Sequence, residues 1–259
     1  MKRKLITIIL VVVYALQLAS PLYAQDTTDV SAPISEPKPK QKIRIPLAFK
    51  HAAGDIRYTF GYWPALIIAG GAIAAGALTA VDHSVASHFT SRHLGKLDDI
   101  GNYIGSPYVL NPAAFVVWGA SALAHDKKAT VTGETLVESL LFADVMVGGL
   151  KLAFRRTRPN GGNYSFPSGH AAGTFAVATS LQTLFGWKAG VPAYAVATFV
   201  GLTRIDMNAH YLSDVVFGAA LGSAIGWGTA HYHKLIHKNL FVMPMMGGNS
   251  TGVNISGTF

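Results

Sequence analysis

The stretch PSGHAAGTFAVATSLQTLF, residues 167–185, is a turn that opens directly into an apolar helix. Proline and serine stand where a helix start needs a fixed φ and a side-chain cap. The run from Ala171 to Phe185 is longer than a strand and rich in alanine. Five more apolar segments share that character: Trp63–Val81, Val109–Ala124, Leu136–Phe154, Val191–Ile205 and Val215–Ala230. Period-two alternation occurs only near the end, where Gly252-Val253-Asn254-Ile255-Ser256-Gly257 follows a Gly247-Gly248-Asn249 turn signal. The expected fold is all-α, a six-helix bundle with a short β-like C-terminal tail.

Half of the 259 residues are apolar, 13% are charged and none is cysteine. Ordinary soluble domains carry about 25% charged residues, so the bundle is expected to be membrane-embedded or membrane-associated rather than disordered. Tyr58 through Val81 carries no charge and is long enough to cross about 30 Å of hydrocarbon. The other segments are shorter, Asp144 interrupts the third, and the one around Asn111-Pro112 is the weakest candidate span. Glycines 70, 71, 76, 148, 149, 218, 222 and 226 favour close helix contact. The rival reading is a soluble bundle whose core helices are apolar all round. Without cysteine there is no disulfide, thiolate zinc site, iron–sulfur cluster or thiol nucleophile.

The net charge of +8 is partly an address. Lys2, Arg3 and Lys4 precede an apolar run from Leu5 to Leu16 and a small residue, Ala24, which reads as a signal peptide over residues 1–24. An uncleaved anchor is the alternative. Removing the signal leaves 18 basic against 13 acidic residues and no long basic tract, so nucleic-acid binding is not expected. Residues 25–50, with Pro33, Pro37, Pro39 and Pro46, read as a linker, 51–238 as the helical domain and 239–259 as a tail, a candidate hairpin.

Three polar clusters interrupt the apolar helices, all at helix ends: Lys151 with Arg155, Arg156 and Arg158; Pro167-Ser168-Gly169-His170; and Arg204, His210 and Asp214. Lysine and arginine supply fixed positive charge and forked donors for a tetrahedral oxyanion. Ser168 and Gly169 open a helix, where backbone N–H groups and the helix dipole attract an anion. His210 and Asp214, four apart, share a helix face, so the carboxylate can hold one imidazole nitrogen as N–H and leave the other lone pair for attack. His170 can protonate a departing oxygen. The set suits phosphoryl transfer without a metal, and no cofactor is expected.

These motifs resemble the type 2 phosphatidic acid phosphatase superfamily, which includes bacterial non-specific acid phosphatases, glucose-6-phosphatase and vanadium haloperoxidases. The pattern is lysine, six residues, Arg-Pro; Pro-Ser-Gly-His; and Ser-Arg, five residues, His, three residues, Asp. Here these are Lys151 to Arg158-Pro159, Pro167 to His170, and Thr203-Arg204, His210 and Asp214, with threonine in place of the usual serine. The resemblance implies that Lys151, Arg158, Ser168, Gly169 and Arg204 bind phosphate. It implies that His170 is the acid, His210 the nucleophile that forms a phosphohistidine, and Asp214 its partner. It also implies a helical bundle of that family's type and an outward-facing site in bacteria.

Other polar residues carry plainer readings. Arg155 and Arg156 fall outside the motif, with a flanking surface role as good as substrate contact. His231, His233 and His237 have no acidic residue or cysteine nearby in sequence and read as a basic helix end rather than a metal site. His83, His88 and His93 read as solvated loop residues. Sidedness is in tension: if all three segments between Gln25 and Lys151 span, an exported N-terminus puts the site in the cytoplasm. A periplasmic-side site is the favoured reading. The leading function is removal of a terminal phosphate from a phosphatidate-like, polyprenyl or lipid A substrate at the bacterial envelope. The alternatives are a soluble periplasmic acid phosphatase, a vanadate-dependent haloperoxidase and a non-catalytic membrane scaffold.

Overall fold

The computed structural model describes residues 51–89, 92–236, 241–247 and 250–256. The expected signal peptide, the linker and His237 lie outside these residues. Among the described residues the chain forms nine helices, α1 Ala52–Thr59, α2 Tyr62–Leu78, α3 Asp82–His88, α4 Lys96–Ile104, α5 Pro107–Leu123, α6 Lys127–Phe154, α7 Gly169–Phe185, α8 Trp187–Asp206 and α9 Leu212–Ile236. A hairpin of β1 Phe241–Gly247 and β2 Ser250–Ser256 follows, with Phe241 opposite Ser256 and Gly247 opposite Ser250.

The six apolar segments correspond to α2, α5, α6, α7, α8 and α9. The three additional helices, α1, α3 and α4, are short and polar, below the length at which apolar periodicity is readable. The uninterrupted apolar stretch from Tyr58 to Val81 is not one helix. It breaks at Phe60-Gly61, where the α1 and α2 axes differ by 59°. Gly61 is extended at the N-cap of α2 and Pro64, lacking an N–H, sits in the first turn, where none is needed. Among the described residues no single helix is long and apolar enough to cross a membrane; this bent pair is the one combination that qualifies.

Helix α9 is the axle of the bundle, packing on α7, α2, α1 and α6. Its Phe217, Leu221 and Ile225 meet Ala75, Ala143, Val147 and Ala172 in the main core cluster. Helix α6 also packs against α5 through Ala114, Leu136, Val137 and Leu140. Asp144 is half-buried there and accepts a hydrogen bond from Asn111 Nδ2 at 2.7 Å, which accounts for both polar interruptions.

The glycines divide into two groups. A Cβ on Gly218, Gly222 or Gly226 would run into the backbone of Ser168, Ala172 or Ala176 respectively, and one on Gly71 into Ala220. A Cβ on Gly70, Gly76, Gly148 or Gly149 would meet nothing, so those four serve no close contact. The histidines at 83 and 88 lie in α3 rather than in a loop, and His83 packs edge-on against Tyr211. His93 sets its Nδ1 3.3 Å from the buried Asp206. Gly222→Ala is expected to destabilise the bundle by about 1–3 kcal/mol through overpacking. Gly148→Ala, with the same atom added in open space, should be neutral or stabilise by up to about 1 kcal/mol. Thermal unfolding of the two variants checks the contrast.

Candidate active site

The sequence clusters converge because two helix starts are pinned to each other. Ser168 caps α7, its Oγ accepting from the Ala171 N–H at 3.5 Å, and its own N–H donates to the carbonyl of Asp214 at 3.0 Å. The first turn of α9 is thereby tied to the first turn of α7. Ser168 is fully buried, and the N–H groups that open α7 belong to Gly169 and His170.

The basic loop after α6 is held from both sides. Arg155 ends α6 in the left-handed region, with φ 46°, and its Nε donates to the Leu152 carbonyl at 3.1 Å. Tyr164 also has positive φ, 59°, an outlier held by its surroundings. Lys151 Nζ donates to the Tyr164 carbonyl, Arg158 Nε to the Asn163 carbonyl at 3.0 Å, and the Asn160 N–H to the Asn208 carbonyl at 3.1 Å. These bonds lay the loop against the α8–α9 junction that carries Arg204 and His210.

His210 is buried and presents Nδ1 to Asp214 Oδ2 at 3.8 Å, aligned but longer than a hydrogen bond. Asp214 is fully buried. Its Oδ2 accepts from Ser165 Oγ and from the Tyr211 N–H at 2.9 Å, while Oδ1 accepts from Arg156 Nη1 at 2.7 Å. Burial raises the Asp214 pKa, but the adjacent His210 ring and the hydrogen bonds from Ser165 and Tyr211 outweigh it and hold the group below its ordinary value. Facing that carboxylate, the His210 Nδ1 is the protonated nitrogen and Nε2 keeps its lone pair.

Two residues outside the motifs complete the arrangement. Arg156 joins Asp214 to Asp82 of α3, with Nη2 2.7 Å from Asp82 Oδ2, and its guanidinium lies 4.2 Å from the centre of the Tyr211 ring. It is therefore a positioning residue for Asp214, while the exposed Arg155 caps a helix. Asn102 of α4 accepts from Arg204 Nη1 through Oδ1 at 2.6 Å and from His170 Nε2 through its carbonyl at 3.1 Å, leaving His170 Nδ1 for a substrate. Nothing in local spacing signals either residue: Asp82 is 74 positions from Arg156, and Asn102 is 102 from Arg204.

The charges bear on one another. Burial, reinforced by Arg158, pushes Lys151 down to about 8, and burial with Arg158 lowers Arg204 to about 10. Burial and then Arg204 push His170 down to about 3; burial, with Lys151 and Arg158, pushes His210 down to about 4. Both imidazoles are neutral at pH 7, and the crowded cations call for an anion. Between about pH 6.5 and 4 the unfolded chain binds protons on these histidines that the folded chain refuses, so stability falls as pH falls. Melting temperature is expected to drop on acidification through that window. Millimolar inorganic phosphate should recover part of the loss, as an anion among the cations lets the imidazoles take up protons. A melting temperature unaffected by phosphate at every pH would contradict this electrostatic account.

Comparison with known proteins agrees with this geometry. Residues 160–238 match the family model of the PAP2 superfamily, a span that holds Pro167 to His170, Arg204, His210 and Asp214. A lipid A 1-phosphatase of Porphyromonas gingivalis is 44% identical over 85 residues, covering 31% of this chain and 19% of its own length. A lipid A 4'-phosphatase of Helicobacter pylori is 32% identical over 111 residues, covering 38% of this chain and 54% of its own length. The chain thus spans about a fifth and about half of these two relatives. The crystal structure of a transmembrane PAP2-type phosphatidylglycerolphosphate phosphatase from Bacillus subtilis superposes with a TM-score of 0.56 at 17% identity. That match covers 71% of this chain and 97% of the other, a likeness of fold. The matched span carries the second and third polar clusters of the sequence, so residues 160–238 of this chain are similar to the PAP2 superfamily, and the bundle shares the fold of a PAP2-type phosphatase.

Proposed function

We propose that this chain is a phosphatase that removes the terminal phosphate of a lipid phosphate, of phosphatidate-like, polyprenyl or lipid A type, through a phosphohistidine on His210. The observation that carries the reading is the meeting of Lys151, Arg158, Arg204, His170 and His210 within reach of one another's charge, with Asp214 behind His210. The three cations, the Ser168 hydroxyl and the N–H groups opening α7 hold the phosphate oxygens. His210 Nε2 attacks phosphorus, the P–N bond forms, and the bond to the leaving oxygen breaks as His170 protonates it. His170, neutral in the empty site, gains its proton when the phosphate dianion offsets the Arg204 charge. In the second step His170 takes a proton from water, the water oxygen attacks phosphorus, and the P–N bond breaks to release inorganic phosphate. The cradle stabilises the charge on the equatorial oxygens in both steps. The protein groups supply every proton transfer, and the mechanism uses no metal.

A lipid substrate is supported by the outer face of the bundle. Tyr62, Ile73, Leu123, Val145, Trp187 and Val191 are each at least 60% exposed, on α2, α5, α6 and α8, large apolar side chains that a lipid environment would cover. The names of the two bacterial relatives point the same way, and the signal-like N-terminus supports a membrane-associated protein with its site on the periplasmic side.

The test is phosphate release by the purified full chain from lipid A, phosphatidate, undecaprenyl phosphate and soluble monoesters, with chelator present and well below the melting temperature. Lipid esters are expected to be preferred; a preference for soluble esters would instead mark a non-specific acid phosphatase. His210→Ala should lower release to background and His170→Ala by about 100- to 10,000-fold, both with unchanged circular dichroism. Full activity in His210→Ala would overturn the mechanism. Arg156→Gln, which leaves the cradle intact, is expected to lower kcat on the order of tenfold or more with little change in KM. A change confined to KM would make Arg156 a substrate contact instead.

A further inference from the structure

At the far end of α9 a second polar cluster lies outside the phosphate site. His233 is 19 positions beyond Asp214, about 28 Å along the helix at 1.5 Å per residue. It is fully buried, although its sequence neighbourhood predicts a basic helix end without acids. The acids come from other helices: Glu138 of α6 places Oε2 2.6 Å from His233 Nε2, and Asp55 of α1 places Oδ1 3.9 Å from it. One ligand atom from each of Asp55, Glu138 and His233 lies within 4.8 Å of the others, and all three residues are more than nine-tenths buried. His51, at the N-cap of α1, has its ring centre 5.3 Å from that of His233.

We propose that Asp55, Glu138 and His233 form a divalent transition-metal site, with zinc the best fit and water completing its coordination. Two carboxylates and an imidazole from three helices converge in a dry interior, a donor set of the kind that holds a divalent cation. Asp55 Oδ1 is buried, points at the other two ligand atoms and accepts no hydrogen bond. Ligand atoms around a four-coordinate zinc stand about 3.3–3.5 Å apart for bonds near 2.1 Å. The present separations of 2.6 Å and 3.9 Å bracket that spacing, so small side-chain rotations suffice. Mixed imidazole and carboxylate ligands select zinc, iron or manganese over calcium and magnesium. On binding, the proton between His233 and Glu138 and the proton held on the buried Asp55 carboxyl are released to solvent, and all three ligand atoms coordinate the ion. The ion ties α1 to α6 and α9 at the end opposite the phosphate cradle, a structural role independent of the phosphatase reading.

The test uses the purified full chain in detergent, stripped with chelator and then titrated with zinc or cobalt. The expected results are one equivalent of bound metal, a raised melting temperature, and cobalt visible bands of a four- or five-coordinate site in the wild-type protein. Glu138→Gln and His233→Gln should lose the tight equivalent and the melting shift. Asp55→Asn should weaken binding at least tenfold, and His237→Gln should change neither readout. Absence of both the equivalent and the cobalt bands in wild type would overturn the proposal, whatever the variants do. So would loss in His237→Gln with retention in His233→Gln, which marks adventitious metal binding. Phosphate release by folded His233→Gln should continue, which separates this site from the phosphatase mechanism.

Discussion

The structure depends on one close approach, the glycine edge of α9 laid against the backbone of α7. Gly218, Gly222 and Gly226 recur every four residues and face Ser168, Ala172 and Ala176, which recur in the same way. The two helices touch main chain to main chain, nearer than any side chain would permit. That contact sets the first turn of α9 beside the first turn of α7, so His210 and Asp214 meet the helix start that holds Ser168, Gly169 and His170. A methyl group at Gly218 would press on the Ser168 carbonyl and shift the helix start by the few tenths of an ångström on which a phosphate cradle depends.

Around that contact the site is built as a cluster of cations and neutral imidazoles over a fixed negative support. Burial and the Arg158 charge lower Lys151 and Arg204, burial and the neighbouring cations lower both histidines, and Ser165, Tyr211 and Arg156 help hold Asp214 ionised. The same burial that keeps both imidazoles neutral keeps the His210 lone pair available. In the proposed mechanism an arriving phosphate supplies the opposing negative charge, which couples protonation of His170 to occupancy of the site.

The long helices were legible because each carries an apolar run at least 15 residues long, and their observed ends lie within a few residues of the expected ones apart from the polar N-terminal third of α6 and the C-terminal turn of α9. The short helices α1, α3 and α4 were not legible, since seven to nine polar residues carry no readable period. These are the helices that brace the two sites. Asp82 on α3 steadies Arg156, Asn102 on α4 orients Arg204 and His170, and Asp55 on α1 faces His233. Arg156 read as a flanking residue because its partners lie 57, 58 and 74 positions away. His233 read as a basic helix end for the same reason, with Glu138 95 positions distant.

The sequence by itself determined the all-helical class, the segments that make the long helices and the residue types and spacing of the polar clusters proposed to hold phosphate. Those depend on neighbours within one or two turns, which composition and periodicity record. Only the tertiary structure decided where the apolar Tyr58–Val81 stretch breaks, which glycines are contacts, and which distant acids and amides hold the histidines and arginines in place. Those outcomes rest on side chains from different helices competing for the same buried space, a condition that no local pattern encodes.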